Sequence, residues 1–447
     1  MDATIGTTHG TIPGPRGIPF LGNMLQMARD PLGFLTRISQ AHGDVVHFTL
    51  PGQRIYLFNH PDAIEEVLKR SGDDIRKDDF TRNLSLAVGR GLLTSEGDFW
   101  RRQRKLSQPA FHHHRVHTYA DTMVAHAERL IARLKDGETR DIHADMMRLT
   151  LDIVAETLFG ADVGDAAEQI GEALEALMER FSGIRALVPA WVPSFANLKV
   201  ARALRSLDEV VYGIIRGRRP DDDRGDLLSM LLAATTEEGG KMSERQLRDE
   251  AVTLLLAGHE TTALALTYTF HLLARHPAAF SELRSEAERV LGTRSPTAAD
   301  IPNLPYADAV VRESMRLYPP AWAIGRATTR PCTIAGLELE PGAQLWIAQW
   351  VVHRDPRWYT DPGAFVPERW RGDFAKRLPR FAYFPFGGGP RVCIGNAFAM
   401  MEAVLLLVTI TQRVRLHAED DRPLRVAPSV TLRPKGAVRM KVELRAK

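Results

Sequence analysis

Cysteine is almost absent from this chain: Cys332 and Cys393 are the only two among 447 residues. Two thiols cannot build an all-cysteine iron–sulfur cluster or a four-thiolate zinc site, and they exclude a disulfide-stapled scaffold. An excess of one charge is lacking too. Lys and Arg total 58 against 55 Asp and Glu, a net charge of +3, too even to recruit nucleic acid by bulk charge. No apolar run approaches the ~20 residues of a membrane-spanning helix. The opening MDATIGTTHG has neither the basic n-region nor the apolar h-region of a signal peptide. These absences lead to the expectation of a cytoplasmic protein with no nucleic-acid partner and no membrane span. Phosphate-binding signatures are missing as well: there is no GxxxxGK(S/T) and no strand–GxGxxG–helix unit. What is present, 44% hydrophobic and 25% charged residues, is the composition of a large globular body.

Pro13 to Gly22 (PGPRGIPFLG) is too rich in proline and glycine for a helix or a central strand, so residues 1–22 read as an extended N-terminal segment. His42 to Asn59 holds two β-rich pieces around Pro51-Gly52, the pattern of a hairpin. Apolar residues at i, i+3, i+4 spacing predict helices at 63–69, 99–110, 116–134 and 146–159. Arg216 to Asp226 (RGRRPDDDRGD) reads as a solvated connector, with Asp226 capping a short helix over 227–234. The longest helix is expected over 243–276, ended by Pro277. A further helix over 307–317 stops at Tyr318-Pro319-Pro320, and a last apolar helix runs over 396–414 before a β-like tail. Length alone allows about three domains, but no linker divides the chain. We expect a mainly α protein with small β-sheets, one large α-rich domain over 1–447.

The long helix breaks its own rule. From Ala251 to Ala274 it is apolar nearly all round, except for Gly258, His259, Glu260, Thr261 and Thr262 at its centre. Glycine inside a helix costs about 1 kcal/mol relative to alanine, and a buried carboxylate needs a partner. Such violations tend to mark functional sites. Gly258 leaves room for a flat ligand or a diatomic gas. A threonine hydroxyl can bond back to the carbonyl of Ala257, and an adjacent acid and alcohol can relay protons. A solvated stripe with ordinary packing explains the same pattern, and both readings stand at this point.

The second anomaly is Phe384 to Gly395 (FPFGGGPRVCIG), followed at once by a helix. Three successive glycines permit a close backbone approach to a surface. Unpaired amides and the helix dipole near Asn396 favour a thiolate at Cys393. A thiolate in a glycine-rich loop facing a flat cofactor is the chemistry of an axial iron ligand, and Arg391 is placed to meet an anionic cofactor edge. A lone cysteine is also commonly a small buried hydrophobe.

Five motifs resemble those of the cytochrome P-450 family, in its order and at its spacing: Trp100-x-x-x-Arg104, Ala257-Gly-His-Glu-Thr-Thr262, Glu313-x-x-Arg316, Phe365-x-Pro367-Glu-Arg369-Trp, and Phe386-x-x-Gly389-x-Arg391-x-Cys393-x-Gly395. Trp370 replaces the usual phenylalanine of the fourth. The likeness covers roughly residues 12 to 436. It implies the family's fold, with heme b between the long central helix and the cysteine loop. It implies that Trp100, Arg104, Arg326, Phe386, Arg391, Cys393 and Gly395 contact the cofactor. Cys393 would be the proximal thiolate on iron, and Trp100, Arg104, Arg326 and Arg391 would hold the propionates. Glu313, Arg316 and Arg369 would form a buried charge network, and Glu260 and Thr261 would deliver protons to bound dioxygen.

By family position, the substrate pocket would be lined by Leu84, Leu86, Val88, Leu254, Ala257, Ala321, Trp322, Ala323, Ile324, Val430, Thr431 and Leu432. These are mostly apolar, so the resemblance implies a monooxygenase for a lipophilic substrate. Trp322 either narrows the space above the heme or packs in its wall. The wording AGHETT and PGPRGIPFLG is closer to the fatty-acid-hydroxylating and microsomal branches than to the short terpene-oxidising branch. Fatty acids are the first expectation, with steroids, terpenoids and polyketides open. No flavin or ferredoxin module is present, so electrons are expected from an external ferredoxin or flavodoxin with its reductase. Arg101, Arg102, Lys105, His112 to His114 and Arg115 form the basic neighbourhood expected to dock it. A heme peroxygenase or isomerase is the alternative enzyme, and a non-catalytic heme sensor the alternative class. The acid–alcohol pair Glu260-Thr261 speaks against both.

Overall fold

The computed structural model describes residues 12–161, 164, 166–180, 195–218, 224–233, 242–420 and 422–445. The central helix runs Glu244–Arg275. Ser243 caps it by accepting from Gln246 N, and the Gln246 side chain reaches back to Ser243 N, so two orphan donors are satisfied. Nearly the whole helix from Leu247 to Leu273 is buried, as its all-round apolar pattern requires. It packs on the helix Ile142–Phe159 and on the helix Pro305–Leu317, with the cysteine helix Asn396–Arg413 alongside. These share the largest hydrophobic cluster of the molecule. Pro277 does end the central helix, and it then opens the next one, Pro277–Leu291.

The predicted hairpin is present. Val45–Leu50 and Gln53–Phe58 pair antiparallel across Pro51-Gly52, with Gly52 at φ 73°. They lie at one edge of a five-stranded sheet that continues through Gln344–Ile347, Ile324–Thr328 and Ile75–Lys77. This sheet sets Lys77 opposite Arg326. The N-terminal segment lies on the hairpin: His47 N donates to Pro13 O at 3.0 Å.

Three expectations change. The helix expected over 116–134 divides into His113–Thr118 and Ala120–Arg133. The helix expected over 99–110 starts earlier and ends as Gly97–Ser107, followed by a 3-10 turn over Gln108–Phe111. The connector around 216–226 is anchored at its described ends. Arg218 and Asp226 form an ion pair with side chains 4% and 5% exposed, and Asp226 Oδ1 caps the next helix through Ser229 N at 2.8 Å. Burial of this pair holds the loop ends against Phe159 and Ser229; residues 219–223 lie outside the described residues. No helix of the described residues is long and apolar enough to cross a membrane.

Candidate active site

A cavity of about 1620 Å³ lies between the central helix and the cysteine loop. From the helix, Leu254, Ala257, Gly258, Thr261 and Thr262 face it. Thr261 Oγ1 donates to Ala257 O at 2.8 Å, the back-bond expected from its position. Gly258 serves two neighbours. It opens onto the cavity, and a Cβ there would stand 3.1 Å from a Val154 methyl on the Ile142–Phe159 helix.

The cysteine loop forms the opposite wall with Phe386, Arg391, Val392, Cys393 and Gly395. Cys393 N donates to Phe386 O at 3.0 Å, which fixes the thiol at the mouth of the helix Asn396–Arg413. Its sulfur is free and open to the cavity. Desolvation pushes the thiol pKa up, opposed by the Gly395 amide and the Arg104 charge. The glycines have a different reason from the expected one. Gly389 has φ 64°, and a Cβ on it would lie 2.1 Å from Leu68 O; one on Gly388 would lie 2.3 Å from the Phe381 ring. They let the loop seat on the protein's own helix Pro61–Lys69 and on Phe381.

Basic groups ring the same cavity. Arg326 is 8% exposed; its Nε donates to Ser71 Oγ at 3.0 Å and its Nη1 to Gly325 O at 2.8 Å. Arg104 Nη1 donates to Val392 O at 2.8 Å. Neither has a carboxylate within 4.0 Å among the described residues. Burial pulls both guanidinium pKa values below the ordinary range. Arg391 sits 3.7 Å over the Trp100 ring, pairs with Glu96, and donates to Ser95 O at 3.0 Å. Burial brings its pKa down to about 10. Lys77, missed by sequence reasoning, lines the cavity too. It is 6% exposed, its Nζ donates to Leu92 O at 3.0 Å, and burial drives its pKa well below the usual lysine value. Buried cations without an ion pair are costly unless an anion reaches them. A flat group with carboxylates at one edge and an atom for sulfur at its centre fits this wall.

The Glu313 network is assembled as expected. Arg316 Nε and Nη2 donate to the two Glu313 oxygens at 2.9 and 2.8 Å, and Arg369 Nε donates at 3.1 Å. Trp370 explains itself here: its indole Nε1 donates to Glu313 Oε2 at 2.9 Å, which phenylalanine cannot do.

Several expected lining residues lie elsewhere. Leu84, Leu254, Ala257, Ala321, Trp322, Ala323, Ile324 and Val430 face the cavity. Leu86 does not: on the short helix Ser85–Val88 it points outward and is 73% exposed, while Val88 turns into the core at 1%. Thr431 Oγ1 donates instead to Glu260 Oε1 at 2.5 Å. Leu432 is fully buried outside the lining, and its carbonyl accepts from Tyr268 Oη at 2.7 Å. Trp322 lines the cavity and is also fixed in its wall, with Nε1 donating to Ser429 O at 2.8 Å. Glu260 points away from the cavity that Thr261 faces. Burial alone would raise its pKa, but Arg433 at 2.7 Å, Thr431 and His259 outweigh that and hold it below the carboxylate range.

A wide cavity, a thiol fixed before a helix, buried cations and a threonine-notched helix thus meet at one site. The cytochrome P450 family model matches residues 12–441. Cyclooctatin synthase of Streptomyces melanosporofaciens is 38% identical over 438 residues, which is 96% of this chain and 95% of the relative. Cyclooctat-9-en-7-ol 5-monooxygenase of the same organism is 37% identical, over 92% of this chain and 90% of the relative. Pentalenene oxygenase of Streptomyces avermitilis is 34% identical, over 98% and 97%. The chain belongs to the cytochrome P450 family. It is a monooxygenase of that family, whose cofactor is heme b.

Proposed function

We propose that this enzyme oxidises a terpenoid, a compact and largely hydrocarbon substrate, with electrons from a separate acidic redox protein. The carrying observation is the cavity itself: above Cys393 its walls are Leu84, Leu93, Leu254, Ala257, Ala323, Ile324 and Val430, apolar groups that orient a substrate by shape. The relatives named for cyclooctatin and pentalenene support the same class. They give the fatty-acid expectation no support.

In this reading Cys393 ligates the heme iron, while Arg104, Arg326 and Arg391 hold the propionates, with Trp100 beneath Arg391. Phe386 and Gly395 shape the loop against the ring. Bound heme supplies the activation of dioxygen and the transfer of one oxygen atom to the substrate. The protein excludes water, holds the substrate, and meters protons. Thr261 presents its hydroxyl to the cavity; Glu260, turned to Thr431 and Arg433, reaches it only after leaving them. Arg101, Arg102 and Lys105 on the Gly97–Ser107 helix offer the basic surface for the redox partner.

The test is a ligand panel of cyclic terpene hydrocarbons and alcohols, fatty acids and steroids, scored by the spin-state change when water leaves ferric iron. Tight responses confined to the terpenoids support the assignment. A fatty acid that binds more tightly than every terpenoid overturns it.

A further inference from the structure

Nearer its N-terminus than the threonine notch, the central helix carries a second polar face, turned to the loop 89–96. Asp249, Glu250 and Thr253 form it, all buried, with Glu250 1% exposed. Asp249 Oδ2 accepts from Arg90 N at 2.8 Å, and Glu250 Oε2 accepts from Leu92 N at 3.0 Å. Two glycines let the loop come this close. A Cβ on Gly89 would lie 2.1 Å from Asp249 Oδ1, and one on Gly91 would lie 2.1 Å from Thr253 Oγ1. The strand Ile75–Lys77 grips the same stretch from its other side. Lys77 Nζ donates to Leu92 O at 3.0 Å and to Leu93 O, and Lys77 N donates to Glu96 Oε1 at 2.8 Å. Leu92 is therefore held at its N–H by one buried ionisable side chain and at its C=O by another. Leu92 and Leu93 both line the cavity.

The Glu250 end of this grip is poorly furnished for a charge. Its Oε1 is buried with no partner among the described residues, and so is Thr253 Oγ1. An ionised carboxyl accepts at both oxygens, and a buried charge that lacks such partners is costly. The charged groups that face Glu250 are Asp249 on its own helix and Lys77 from the strand, and they act in opposite directions. Asp249 is itself paired with Arg248, which also holds Asp208 of the helix Phe195–Arg216. The short helices Ser85–Val88 and Leu227–Ala233 bring no ionisable group, and Asp145, Arg148, Asp152 and Glu156 of the helix Ile142–Phe159 are paired elsewhere. Burial accordingly pushes the carboxyl up to about 7.

We propose that Glu250 is a positioning residue for substrate binding: with Lys77 it clamps the Leu92 peptide and sets the apolar wall Leu92–Leu93 against the cavity, seated while the carboxyl carries its proton and loosening as it ionises. Ionised Glu250 gains by hydration, and hydration requires the loop to lift from the helix. The seated loop thus holds the proton more firmly than the lifted one. The clamp is at full strength in acid, weakens as pH rises through the ordinary carboxylate range, and levels off above about 7. The inference rests on the cavity being the substrate site, whichever substrate fills it.

Hydrogen–deuterium exchange at the Leu92 amide of the full-length, heme-loaded enzyme tests the clamp. Glu250→Leu leaves Leu92 N buried without an acceptor, so exchange there should quicken by roughly 10–100-fold, with the helix Asn396–Arg413 unchanged. Glu250→Gln, whose amide oxygen still accepts, should keep the protection. Unchanged exchange in Glu250→Leu overturns the proposal. If that variant loosens the whole chain, wild type against Glu250→Gln decides. The ratio of their Leu92 exchange rates should climb about tenfold between about pH 5.5 and pH 7 and then level off; a flat ratio overturns the proposal. The binding readout is the affinity for 4-phenylimidazole relative to imidazole, which isolates the apolar wall. This ratio should fall in Glu250→Leu and hold in Glu250→Gln, and a ratio that Glu250→Leu does not move overturns the positioning role. None of these measurements uses a terpenoid, so a failed terpenoid panel and a failed clamp are told apart.

Discussion

Glu313→Gln removes one charge and keeps the shape. In the wild type the carboxylate accepts from Arg316 twice, from Arg369 Nε at 3.1 Å, from Trp370 Nε1 at 2.9 Å and from Val366 N at 3.0 Å. Arg316 is locked further by the carbonyls of His353, Pro362 and Ala364, at 2.9, 2.7 and 2.8 Å. Both Glu313 and Arg316 are 0% exposed. The amide presents two donors to groups that are themselves donors, and leaves two guanidinium charges buried. Breaking a buried pair in this way costs about 3–5 kcal/mol. Unfolding entropy near 2.1 cal/mol/K per residue gives about 0.9 kcal/mol/K for a chain this long, so Tm should fall by about 3–5 °C. The same network ties the helix Pro305–Leu317 to the segment around Pro367–Trp370, so heme retention should fall with it. Burial works to raise the Glu313 pKa, but Arg316, Val366 N and Arg369 outweigh it and hold the carboxyl low. The stabilisation is therefore present above the ordinary carboxylate range and lost as pH falls through the lowered value; the difference between wild type and variant should close in acid. Differential scanning calorimetry with heme titration decides it. A variant with wild-type Tm at neutral pH would show that the Glu313 charge does not stabilise the fold.

Three further outcomes are expected. Arg326→Leu should weaken heme binding by roughly 10–100-fold, the range for one charge-assisted hydrogen bond of about 1.5–3 kcal/mol, read as heme loss to an acceptor protein; unchanged retention would remove Arg326 from the propionate set. Thr261→Ala should shift electrons from product to peroxide, and tight coupling would count against its role. Burial pushes the Glu250 carboxyl up to about 7, against the pull of the Leu92 amide at 3.0 Å. The folded state thus holds that proton more firmly than the unfolded one. This contribution to stability is present in acid and declines as pH rises toward about 7. Glu250→Gln should flatten the Tm profile between about pH 5 and pH 8, and an unaltered profile would argue against a titrating Glu250.

The sequence was most legible where chemistry forces a residue type. Cys393 before a helix, Glu313 three residues from Arg316, and Thr261 four residues after Ala257 all stand where their spacing placed them. It was less legible where direction decides. Leu84, Leu86 and Val88 share one short stretch, yet only Leu84 faces the cavity, because the turn around Ser85 sends the others to solvent and core. Glu260 and Thr261 are neighbours on one helix and point into different compartments. Lys77 carried no motif; strand pairing with Arg326 brings it to the cavity, and that pairing is non-local. The relatives give the fatty-acid expectation no support; it rested on AGHETT and on PGPRGIPFLG, and the latter lies on the hairpin outside the cavity, whose walls are scattered residues that carry no motif.

Every role proposed here depends on Cys393 as the thiolate that would hold the heme iron. The reduced carbon-monoxide spectrum of the purified, heme-loaded enzyme tests it most directly. The wild type should show the thiolate-type Soret band from which the family takes its name, and Cys393→His should replace it with the histidine-type band while keeping the heme. A thiolate-type band that survives in Cys393→His would show that another group holds the iron.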